Sequence, residues 1–130
     1  MSDTLTLIDS SAFIEFSRAG GGGVADAVDS ALAEGRAAVC SVVTCELLSG
    51  CRSRAEYREL ELLFAGLEWL FVSQECWDRA AGLGYNLRRS GLTVPLTDRL
   101  VAVTARVHNA SLLHCDTHFD MIGDIPDTLR

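Results

Sequence analysis

Leu5-Thr6-Leu7-Ile8-Asp9-Ser10-Ser11-Ala12 is the stretch that decides the fold. Residues 4–8 read as a short buried strand. Asp9-Ser10-Ser11 then supplies side chains that cap a helix, which continues from Ala12 to Arg18. A carboxylate is thus set at the point where a strand hands over to a helix. Other acids likewise sit where an apolar run meets a helix or a loop. Val42-Val43-Thr44-Cys45 leads into Glu46, Thr97-Asp98 opens a helix, and Leu112-Leu113-His114-Cys115 ends in Asp116.

Working outward, the spacing predicts helices over Val24–Glu34 with Gly35 as the stop, Val42–Cys51, about Arg54–Ala65, and Ser73 to about Arg89. A last helix, capped by Thr97, runs to about His108. Ala37–Cys40, Glu68–Val72 and Leu112–Cys115 read as further strands, and Ile122–Ile125 as a fifth, at a sheet edge. The four glycines Gly20–Gly23 read as a flexible joint between helices rather than a linker between domains. Strands alternating with helices predict an α/β fold, with a mostly parallel central sheet of four to five strands flanked by helices. At 130 residues, the chain suits a single domain over 1–130.

In a parallel sheet the carboxyl ends of neighbouring strands share one crevice. That placement would gather Asp9, Glu46, Asp98 and Asp116. Like charges near a protein surface repel by about 4 kcal/mol per close pair, so such a cluster needs a cation at neutral pH. Magnesium or manganese fits, since both favour oxygen ligands. Two such ions can assist an in-line displacement at phosphorus. Each acid also has an ordinary explanation: Asp9 as a helix cap, Glu46 on a solvated helix face, Asp98 in a first helical turn, and Asp116 in an Asx-turn. Asp120 competes with Asp116 as the fourth acid. What lifts the set is its shared placement.

Composition narrows the alternatives. The formal charge is −7, which argues against a general nucleic-acid coat. All eleven basic residues are Arg, so lysine-dependent chemistry is excluded. That disfavours a phosphoacceptor signalling domain, which senses its phosphoryl group with a lysine. Five cysteines without CxxC spacing read as reduced core residues and point to a cytoplasmic compartment. The start lacks the pattern of a signal peptide, and no apolar run suits a membrane span. His114, Cys115 and His118 have no distant partner pair and make a poor zinc site. Ser10 and Ser11 lack a nearby histidine and a G-x-S-x-G turn, against a serine hydrolase. Arg99, beside Asp98, is the arginine best placed for a role near the site. Trp69 and Trp77 read as core or dimer contacts.

Four segments together resemble a known family. Leu7-Ile8-Asp9-Ser10-Ser11-Ala12-Phe13-Ile14-Glu15, Thr44-Cys45-Glu46-Leu47-Leu48-Ser49-Gly50, Thr97-Asp98-Arg99-Leu100-Val101-Ala102 and Cys115-Asp116-Thr117-His118-Phe119-Asp120 resemble, in order, the acidic motifs of PIN-domain ribonucleases. Length and order resemble the VapC toxins of VapBC toxin–antitoxin systems. The resemblance implies a PIN fold and a Mg2+- or Mn2+-dependent endoribonuclease, cutting structured RNA such as tRNA or rRNA. It implies Asp9, Glu46, Asp98 and Asp116 as catalytic metal ligands and Ser11 as an accessory hydroxyl. It also implies a homodimer and a cognate VapB-type antitoxin, with the helices around Phe13, Phe16 and Leu32 as candidate walls of its groove. The alternative is a catalytically inactive PIN-like module that binds RNA or protein.

Overall fold

The computed structural model describes residues 4–18 and 21–129. Its elements run β1 (Thr6–Ile8), α1 (Ser10–Ser17), α2 (Gly23–Ala33), β2 (Ala37–Val39), α3 (Ser41–Ser49), α4 (Arg54–Ala65), β3 (Glu68–Trp69), α5 (Gln74–Arg89), α6 (Leu96–Val107), β4 (Ser111–Leu113) and α7 (Thr117–Ile122). Of the predicted glycine joint, Gly20 lies outside the described residues, and Gly23 already begins α2.

The four strands form one parallel sheet in the order β3-β2-β1-β4. Leu7 pairs with Ala38 on one side and Leu112 on the other. The chain steps outward from β1 to β3, then returns across β1 to lay down β4. This reversal makes a topological switch point between β1 and β4, where the strand ends diverge and leave a crevice. The Asp9 N–H extends the ladder there, donating to the Leu113 carbonyl at 3.0 Å.

β1 and β2 are buried along their whole lengths, as strands covered on both faces must be. α6 lies deepest of the helices, with Leu100 to Ala105 all buried. The core joins Leu7, Ile8, Val39 and Val43 to Phe64, Leu83, Leu87 and Val101. Phe13 meets Phe64 edge-on at 5.8 Å, tying α1 to α4. No helix among the described residues is long and apolar enough to cross a membrane.

Several expectations are corrected. The fifth strand at 122–125 is absent; Ile122 instead ends α7. Phe119 and Ile122 are both buried at a helical i, i+3 spacing, and Gly123 closes the helix at φ +44°. The third strand stops at Trp69, although the Leu70 N–H still reaches the Val39 carbonyl at 2.8 Å. α6 begins one residue before Thr97, with Pro95 rather than Thr97 at its cap. All five cysteines are free thiols, but only Cys40 and Cys76 are core residues. Cys45 and Cys115 are exposed, each beside an acid that faces the crevice side of the sheet. Trp69 and Trp77 are both about half exposed, which corrects the core half of the expectation for them.

Candidate active site

Asp9 follows β1 directly and caps α1. Its Oδ2 accepts the Ser11 N–H at 3.0 Å and the Ser11 hydroxyl at 2.6 Å. With 2 % of its surface exposed, this carboxylate is held rigidly at the sheet edge. Asp116 follows β4 and caps α7, accepting the His118 N–H at 2.9 Å. The ordinary explanations for these two acids therefore hold alongside their shared position: each cap also aims its carboxylate at the crevice. Asp98 occupies the first turn of α6, where a negative charge suits the helix dipole. Glu46 lies on α3, exposed at the rim, and its Oε1 accepts the Ser10 hydroxyl at 3.3 Å.

Glu46 and Asp98 both respond to their acidic neighbours. Burial raises the Glu46 carboxyl above its ordinary range; Asp9 adds to this, the Ser10 hydrogen bond opposes it, and Asp98 and Asp116 add further. Burial also raises Asp98, reinforced by Asp116 and Asp9 and opposed by His118. Repulsion among partly buried carboxylates is the condition that a divalent cation relieves, and hard oxygen donors are what magnesium or manganese takes. The residues present therefore fit a divalent ion.

One member of the cluster reads in the sequence as part of a poor zinc site and is not placed there with the acids. His118 Nδ1 lies 3.1 Å from Asp98 Oδ2 and 3.0 Å from Asp116 Oδ1. Donor atoms of Asp98, Asp116 and His118 all lie within 4.8 Å of one another. The available signal was the D-x-H spacing at the start of a helix, read instead as a polar turn. His114 plays a supporting part: its Nδ1 accepts the Asp116 N–H at 3.3 Å, and its ring packs on Phe119 at 4.8 Å. Asp120 stands exposed on α7, outside the close group.

Arg99 is drawn away from the crevice. Its guanidinium donates to the carbonyls of Ala80 at 2.6 Å and Val94 at 3.1 Å, tying α6 to α5. Adjacent helical residues point about 100° apart, so sequence proximity to Asp98 did not bring it to the site.

A four-stranded parallel sheet with an acid-lined crevice at its switch point defines an α/β protein of open-sheet type. The sequence profile of the PIN domain matches residues 6–125, and the chain belongs to that family. Its relatives place it in the VapC branch. It is 38 % identical over 125 residues to VapC ribonuclease Mb1587 of Mycobacterium bovis, covering 93 % of each chain. The same figures hold for ribonuclease VapC11 of Mycobacterium tuberculosis. Among solved structures, the fold is similar to VapBC2 from Rickettsia felis bound to a promoter DNA fragment, with a TM-score of 0.75 and 18 % identity over 95 % of this chain and 96 % of that one.

Proposed function

We propose that this protein is the toxin of a type II toxin–antitoxin pair and acts as a divalent-cation-dependent endoribonuclease. The observation that carries this reading is the gathering of acids from separate segments: Asp98 and Asp116 both lie within 3.1 Å of His118 Nδ1, Asp9 and Asp116 follow neighbouring parallel strands, and Glu46 reaches Ser10 beside Asp9. The ribonuclease names of its relatives support it.

In this reading the four acids hold Mg2+ or Mn2+. When bound, such an ion supplies Lewis-acid stabilisation of the charge that builds on a phosphodiester during hydrolysis. The remaining residues orient that centre. Ser11 fixes the Asp9 carboxylate and so serves as the accessory hydroxyl. Ser10 restrains Glu46, the one acid presented from an exposed position. At a net charge of −7, the chain depends on the cation to accept an RNA phosphate. The substrate class is structured RNA such as tRNA or rRNA, cut in an exposed single-stranded region by a homodimeric enzyme.

A groove of about 680 Å³ opens beside Glu46 between α1, α3 and α4. Ile14, Phe16, Leu47 and Leu60 form apolar walls, and Glu56 and Glu59 line it. This combination suits a VapB-type antitoxin segment with apolar anchors and basic residues, laid beside the acidic site. The expected walls at Phe13 and Phe16 line this groove; Leu32 does not.

Cleavage of RNA by the purified protein should require Mg2+ or Mn2+ and stop in chelator. Asp9→Asn and Asp98→Asn should remain folded by circular dichroism yet lose cleavage. Activity in chelator, or in both variants, would reject the reading. A folded wild type that binds RNA but never cuts it would favour the inactive-module alternative. Ile14 is exposed, so Ile14→Arg should weaken capture by the antitoxin and leave cleavage intact. Unchanged capture would remove this groove from the interface.

A further inference from the structure

We propose that His118 contributes an imidazole nitrogen to the cation site, so that the site favours Mn2+ over Mg2+. This rests on the cation reading of the acidic crevice given above. His118 sits on the first turn of α7, and the cap bond from its own N–H to Asp116 fixes where the turn begins. Its Nδ1 is thereby brought between two carboxylates of different helices, 3.1 Å from Asp98 Oδ2 and 3.0 Å from Asp116 Oδ1.

Two features separate this arrangement from a simple surface ion pair. First, the Nδ1 atom is buried and makes no directional hydrogen bond among the described residues, although two acceptors lie close by. A ring nitrogen set close to two carboxylate oxygens but aligned with neither is placed to turn its lone pair toward the space they share. Second, the separations suit shared ligation. Adjacent ligands at about 2.1 Å from an octahedral ion lie about 3 Å apart, and both measured distances match that edge. Asp98, Asp116 and His118 thus offer two oxygens and one nitrogen to a common point.

The donor set determines the preference. Mg2+ is a hard ion that dehydrates reluctantly and takes oxygen ligands. Imidazole suits first-row transition ions, whose affinity for nitrogen exceeds that of Mg2+. Replacing one oxygen donor by nitrogen therefore shifts selectivity from Mg2+ toward Mn2+, without removing the carboxylates that Mn2+ also accepts.

The test uses the full-length protein with Mn2+ and Mg2+ alone as probes. Calorimetry gives each affinity, and pulsed EPR of the Mn2+ complex reads coupling to 14N directly, without reference to activity. Wild type should show nitrogen coupling and bind Mn2+ more tightly than Mg2+. His118→Ala should lose the coupling and weaken Mn2+ binding by about tenfold or more, the scale on which even supporting residues affect metal affinity. His118→Asp, which restores an all-oxygen set, should lose the coupling and narrow the Mn2+ to Mg2+ ratio. Mn2+ bound by wild type without nitrogen coupling, or coupling that survives in both variants, would overturn the assignment of His118 while leaving the acidic site standing. Failure of wild type to take up either ion would overturn both.

Discussion

Ser11 and Cys115 stand 104 residues apart, yet the Ser11 hydroxyl oxygen accepts the Cys115 N–H at 3.0 Å. The same hydroxyl donates to Asp9 Oδ2 at 2.6 Å. One side chain therefore fastens the loop after β4 to the acid after β1, across the switch point of the sheet.

Ser11→Ala removes both bonds at once and leaves the Cys115 N–H to find water. The expected cost is about 1–2 kcal/mol, since one of the bonds involves a carboxylate. Chemical denaturation measures it. Mn2+ affinity should fall as well, because Asp9 loses its tether. Unchanged stability together with unchanged affinity would show that Ser11 does not organise the site.

Asp98→Asn should stabilise the metal-free protein at neutral pH. Burial, Asp116 and Asp9 raise the Asp98 carboxyl, so the folded chain holds that proton more tightly than the unfolded chain does. The linked stability is fully present below the unfolded pKa and is lost as pH rises through the raised folded value. The variant's advantage should therefore grow as pH rises above the ordinary carboxylate range, measured by thermal melts in chelator. Saturating cation should reverse the order, since 100-fold excess over Kd adds about 2.7 kcal/mol to a protein that binds it. A variant less stable than wild type in chelator at neutral pH would contradict the repulsion argument.

These acids were legible in sequence because strand ends and helix starts are local features. Asp9, Asp98 and Asp116 each occupy a cap or first turn that short-range patterns reveal. The alternation of apolar strands and helices was equally local, and the parallel sheet followed from it. His118 was hidden because its significance depends on Asp98, which belongs to a different helix. Arg99 misled for the opposite reason: it adjoins Asp98 in sequence but faces α5 in space. The short apolar stretch near Ile122 fits either period, and only the burial of Phe119 three residues earlier selects a helix. Cys45 and Cys115 show the same limit, since which side of an element meets the core is a tertiary fact.

Thr104→Val should stabilise the fold by about 1 kcal/mol. Thr104 is fully buried on α6, and its hydroxyl has no hydrogen-bond partner among the described residues. Valine is nearly the same shape, and its helix propensity is similar. The substitution removes an unsatisfied hydroxyl without opening a cavity. Urea denaturation with an unchanged m-value provides the measurement; a loss of stability would mean that the hydroxyl has a partner in solution.

Gly82→Ala should loosen the C-terminal segment. Gly82 lies on α5 against the backbone of the C-terminal segment, and a Cβ there would collide with the Asp127 carbonyl, a backbone atom that cannot swing aside. Asn86 on the next turn holds the Pro126 carbonyl at 2.7 Å and the Thr128 carbonyl at 3.2 Å. Arg106 of α6 holds the Gly123 carbonyl at 3.1 Å, the Ile125 carbonyl at 3.0 Å and the Asp127 carboxylate at 3.2 Å. The methyl group therefore pushes against a segment already fixed from two helices. Overpacking of this kind costs about 1–3 kcal/mol. Hydrogen exchange should show faster exchange over 124–129 in the variant, with β1 and β2 unchanged. Uniform acceleration across the sheet would instead mean that the segment and the core open as one unit.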